Sequence, residues 1–160
     1  MELNDDSDVY AAAPHIFDRR VSEIGAALSE ARRARSDLAD YDVAAGQRLD
    51  GEITALHGRL RDLSGIHRER GGWSRVYLVA RRGGHVHKSR SCGTLRPTTQ
   101  LLWLTDYSGQ TDTEIVRVAG WRACHSCFPG APQGDEISLP GTLEVRELYA
   151  AARASRSSSV

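Results

Sequence analysis

His87, Cys92, Cys124 and Cys127 are the residues of this chain whose types and spacing point to chemistry. His87-x4-Cys92 is followed, after thirty-one residues, by Cys124-x2-Cys127, and the set uses every cysteine of the 160-residue sequence. One imidazole and three thiolates make an ordinary tetrahedral zinc set, and four protein ligands around zinc mark a structural site rather than a catalytic one. The short C-x-x-C spacing lets two thiolates converge on one ion. A lone C-x-x-C also occurs as a redox pair, but that motif sits at a strand-to-helix junction of a βαβ unit. Here Phe128-Pro-Gly130 follows the second cysteine, and no helical run does.

The histidine ligand is the open point. His85 and His87 alternate in Gly84-His-Val-His-Lys88, so on a strand both face one side. His87 is nearer Cys92 and is the preferred ligand. His85 is the alternative ligand, or a donor to a thiolate from the outer shell that metal sites need. His125 lies inside the knuckle and is expected to point away from the ion.

Three functional classes follow. The first is a non-enzymatic, zinc-stabilised binding or regulatory module that contacts protein or nucleic acid. The second is a zinc hydrolase or nuclease, which needs one coordination position left open for water. The deaminase pairing of H-x-E with P-C-x-x-C fails, because His87 and Ala123 stand where the glutamate and proline belong. No H-E-x-x-H occurs either. The third class is a redox switch, in which Cys124 and Cys127 pair and release the metal.

Composition bounds these readings. The chain is formally neutral, with 21 basic and 21 acidic residues. The charge is uneven: residues 1–70 carry −4, whereas residues 71–134 carry +5 through Arg75, Arg81, Arg82, Lys88, Arg90 and others. Such arginines can track phosphates, although a cluster of this size is more often a solvated or ion-paired face. The acidic first residues lack the basic and apolar parts of a signal peptide. No apolar run reaches the length of a membrane span. Thiols spaced as metal ligands fit a reducing compartment, so a cytoplasmic chain is expected.

The elements that must position the ligands read as α+β. Residues 1–14 look like a disordered acidic arm. Residues 15–70 lack proline and read as helix, with Pro14 suited to a helix start. Phe17, Val21, Ile24, Leu28, Ala31 and Leu38 form one heptad-like seam, and Arg35 occupies its skipped position. Leu49, Ile53, Leu56, Leu60 and Leu63 form a second. The two seams share no register, which implies a stutter, a kink or a turn near residues 39–46. Either one coiled-coil rod of roughly 80 Å results, or an antiparallel hairpin. The favoured reading is a long helix or helix pair that serves as an oligomerisation arm, because a bare rod has nowhere to bury its stripe.

Residues 71–132 form the zinc module. Trp73 to Ala80 reads as a strand, Arg81-Arg-Gly-Gly84 as a turn, and His85 to His87 as the returning strand. Pro97 to Leu104 offers another strand, and Thr111 or Thr113 can cap a short helix ended by Gly120. The aromatic residues Trp73, Tyr77, Trp103, Tyr107 and Trp121 are expected to form its small core. A hairpin, a short helix and a knuckle around one ion resemble a zinc ribbon or a treble clef. So small a core commonly depends on its metal. Residues 133–160 read as a linker, one short helix within Pro140 to Tyr149 and a disordered serine-rich end.

The combined pattern, Trp73-Ser-Arg-x-Tyr-Leu-Val, Gly84-His-Val-His-x4-Cys92, Pro97-Thr-Thr and Cys124-x2-Cys127-Phe-Pro-x-Ala-Pro132, resembles a group of small proteins from actinobacteria and their phages. The resemblance covers about residues 73–132. It implies a metal module behind a helical N-terminal half, and it implies no activity. Some members of that group carry a second cysteine soon after the first. Thr94 and Leu95 stand there in this chain, which favours a histidine as fourth ligand.

Overall fold

The computed structural model describes residues 7–39, 42–80, 84–132, 143 and 146–150. The long helical region is a hairpin, not a rod. Helix α1 (Ser7–Ala11) precedes α2 (Pro14–Asp37), which starts with proline in its first turn, and α3 (Val43–Glu69). Asp42 caps α3 by accepting from the Ala45 N–H at 3.1 Å. The register slip between the two seams is thus resolved as the reversal between Asp37 and Val43. Arg35 meets Asp50 at 2.9 Å beside this turn, and its guanidinium lies across Gly46. Arg32 reaches His57 farther along, as antiparallel packing requires.

The hairpin has its own apolar cluster at the end away from the turn. Val9, Phe17, Ile24, Leu63 and Ile66 are buried there, with Val21, Leu56, Leu60 and Trp73 against them. Val9 belongs to the arm that the sequence suggested was disordered. Residues 1–6 of that arm lie outside the described residues, but Ser7–Ala11 is helical and Val9 is 2 % exposed. The second seam is only partly covered: Leu49, Ile53, Leu56 and Leu60 are half-buried, and Leu63 is buried.

After α3, Gly71 and Gly72 take φ of 91° and 64° and turn the chain into the sheet. Both angles lie in the left-handed region that glycine adopts without a Cβ penalty. Strands β1 (Tyr77–Val79), β2 (Val86–His87) and β3 (Leu101–Trp103) make an antiparallel sheet of order β2-β1-β3. Leu78 stands opposite both Val86 and Leu102, and Tyr77 opposite both His87 and Trp103. Alternation therefore gives the sheet two faces. Leu78, Val86 and Leu102 join Val76, Leu104, Ile115, Phe128 and Leu148 in the module's core. Helix α4 (Asp112–Ala119) closes over that core. It begins with a reciprocal Thr111–Glu114 capping box and ends at Gly120, φ 56°.

One expectation for this half is corrected. The core is mainly aliphatic plus Phe128, with Tyr107 alone of the expected aromatic residues packed against it, and Trp73 serves the helical hairpin instead, edge-on to Phe17 at 5.0 Å. The short helix expected before Tyr149 is present, and it packs into the module rather than trailing from it. Residues 146–150 are helical, Leu148 is 1 % exposed in the core, and the Leu143 N–H donates to the Val118 carbonyl at 2.8 Å. The serine-rich end and the rest of the segment after Pro132 lie outside the described residues.

Candidate metal centre

Three pieces of backbone bring the ligands together. His87 ends β2, Cys92 lies in the turn that follows, and the knuckle docks beside β2. Val86 and Ala123 form a parallel bridge, and the Cys124 N–H donates to the Val86 carbonyl at 2.9 Å. The knuckle closes on itself because the Cys127 and Phe128 N–H groups both donate to the Cys124 carbonyl. Phe128, 1 % exposed, anchors that turn in the core.

His87, Cys92, Cys124 and Cys127 then offer ligand atoms that all lie within 4.8 Å of one another. Cys92 Sγ and Cys124 Sγ are 3.9 Å apart, and Cys127 Sγ is 3.8 Å from His87 Nδ1. With metal–sulfur bonds of about 2.3 Å, the edge of a tetrahedron around zinc is about 3.8 Å. The donors present therefore fit a four-coordinate ion. A disulfide needs an S–S separation of about 2.05 Å, and all three cysteines are free.

The surroundings favour a cation. Burial, followed by neighbouring His85, pushes His87 below its ordinary pKa and so favours the neutral imidazole that binds metal. The Thr94 hydroxyl lies 3.2 Å from Cys92 Sγ and 3.5 Å from Cys124 Sγ. Hydrogen bonds from Thr94, side chain first and backbone second, hold the Cys92 thiol below its usual range. Cys127 behaves oppositely: burial above all, with the nearby sulfurs adding to it, pushes its thiol up to about 11. Three sulfurs this close cannot all ionise without positive charge among them.

His85 is not part of the cluster. It is exposed and stands edge-on to Trp121 at 6.4 Å. The hydrogen bond to sulfur expected of it comes from Thr94 instead. His125 is exposed as well.

The basic residues separate into different roles. Arg75 holds buried Asp18 through contacts of 2.7 to 3.2 Å, and Trp73 Nε1 donates to the same carboxylate at 2.9 Å. Lys88 pairs with Asp112. Arg90 lies over the Tyr77 ring, 5.3 Å from its centroid. Arg81 and Arg82 lie outside the described residues. Sequence reasoning missed Asp18, whose position next to Phe17 on the seam was the available signal.

No helix among the described residues is long and apolar enough to cross a membrane. No protein-family model matches this chain, and neither a curated protein nor a solved structure matches it.

Proposed function

We propose that this chain is a non-enzymatic binding module whose fold is held by one structural zinc ion and carried on a helical hairpin. The convergence of three thiolates and one imidazole within 4.8 Å carries the reading. Sulfur-rich sets of this kind select zinc over hard cations, and four protein donors complete its tetrahedron. Bound there, zinc supplies cross-linking of β2, the Cys92 turn and the knuckle. It leaves no coordination position for a hydrolytic water, which sets the hydrolase and nuclease alternative aside. The resemblance to small actinobacterial and phage proteins supports the same module. A reducing compartment such as the cytoplasm keeps the thiols available to metal.

The partner is a protein, a second copy of the chain or nucleic acid. Leu49 and Ile53 on α3 stay half-buried and Val43 is 62 % exposed, which leaves one face of the hairpin for a protein contact. Native mass spectrometry of untagged protein, purified without added metal, tests both parts. One zinc per chain is expected, and the particle mass reports self-association. A chain that folds cooperatively without metal would reject the structural zinc site.

A further inference from the structure

A cleft of about 490 Å³ opens beside the metal cluster, with His87 and Cys124 on its border. Its polar walls come from Arg96, His85, His125, Thr94, Thr99 and Ser126, and no carboxylate among the described residues lines it. All of these side chains but Thr94, whose one proton goes to the Cys92 sulfur, can donate a hydrogen bond into the cleft. Arg96 is exposed and has no ion-pair partner among the described residues, whereas Arg19, Arg35, Arg75 and Lys88 each hold a carboxylate. The Arg96 N–H donates to Thr99 Oγ1 at 3.1 Å, which fixes the turn that presents the guanidinium.

A second recess of about 240 Å³ shares Leu95, Arg96 and Thr99 with the first and adds Arg90. Arg90 also lacks a carboxylate partner among the described residues and is steadied on the Tyr77 ring. Two guanidinium groups without counter-charges therefore border adjoining recesses in a module of positive formal charge.

We propose that this trough binds phosphoryl oxyanions, with Arg96 as the principal partner and Arg90 engaging a neighbouring phosphate. A phosphoryl group presents several acceptor oxygens with negative charge, which matches a wall of donors. Guanidinium pairs with it in a two-pronged geometry. The inference rests on the metal reading, because the zinc-held knuckle carries His125 and Ser126 and the turn after Cys92 carries Thr94. Among the described basic residues it singles out Arg90 and Arg96 for the nucleic-acid side of that reading and sets aside Arg75 and Lys88, which hold carboxylates. The phosphoryl group can come from a free phosphate compound or from a nucleic-acid strand.

The test titrates inorganic pyrophosphate, and separately a short single-stranded oligonucleotide, into the zinc-containing full chain. Amide NMR shifts and calorimetry are read together. Saturable pyrophosphate binding is expected, with shifts at Thr94, Arg96 and His125. Arg96→Ala should weaken it about tenfold or more, as loss of a charged hydrogen bond implies. If a strand is the source, the oligonucleotide binds with a steep salt dependence. Each of Arg96→Ala and Arg90→Ala then lowers that slope by about one. If a free compound is the source, the oligonucleotide binds no better than pyrophosphate. Absence of saturable binding by either probe, or equal binding by Arg96→Ala, overturns the proposal. Zinc content measured in the same samples separates the two failures: missing zinc rejects the metal reading, and zinc with no phosphoryl binding rejects the trough alone.

Discussion

Asp18 is fully buried, and its carboxylate is satisfied by Arg75 and by the Trp73 indole. Removing one member of such a pair leaves an uncompensated charge, at a cost of about 3 kcal/mol. Asp18→Ala should therefore lower the urea-unfolding free energy by about that amount. A loss below about 1 kcal/mol would show the pair to be passive. The same reasoning explains what the sequence hid. A carboxylate on a helix reads as solvent-facing, and its partner lies 57 residues away. The His/Cys cluster was legible because few residue types bind metal at such short spacings; that His87 and not His85 joins it needed the strand's burial. At the centre itself, thiolates must replace thiols when metal binds. Coordination depresses the ligand pKa, so the stabilisation it brings is lost as pH falls. Zinc retention against a chelator should drop as pH falls through roughly 7 to 5, where imidazole and thiolates regain protons. Retention independent of pH would contradict coordination by these groups.

The elements were more legible than their partners. Pro14, the Thr111 cap and Gly120 mark real helix boundaries because each acts locally. The choice between rod and hairpin depended on which seam met which, and periodicity alone carries no such information. Docking of the hairpin on the module depends on a close approach at Gly109. Its φ is 80°, and a Cβ there would stand 2.6 Å from Pro14 Cβ. Gly109→Ala should destabilise the protein by more than about 1 kcal/mol, through both strain and clash. Thermal unfolding checks this, and an unchanged melting temperature would mean that the contact yields freely. The knuckle is a separate unit. Cys124→Ser should abolish stoichiometric zinc and unfold much of residues 73–132. The helical circular-dichroism signal of α2 and α3 should largely persist, because their apolar cluster lies elsewhere. A variant that keeps its zinc would refute the ligand assignment.

At the scale of the whole molecule, the described residues form two apolar clusters that share no buried residue, one in the hairpin and one in the module. The segment from Trp73 to Arg75 joins them, with the indole in the first and the guanidinium on α2's Asp18. Arg19 adds a half-buried ion pair to Asp106 across the same seam. The module is completed from far along the chain. Leu148 fills its core, and the Tyr149 hydroxyl donates to the Val79 carbonyl at 3.3 Å. Leu148→Ala should cost about 2–5 kcal/mol, as deletion of a buried leucine does. It should do so in the zinc-bound protein. Equal stability of variant and parent by denaturant titration would place Leu148 outside the core.

That late-arriving leucine bears on how the protein is made. A ribosome delivers the hairpin first, then all four residues of the His/Cys cluster, and only afterwards Leu148, which fills the module's core. Domains generally fold as units as they emerge. The core that anchors the knuckle through Phe128 is therefore completed only after residue 148 has been made. If the four-residue cluster takes up a metal, its capture and the completion of the core are separate events in the making of this chain.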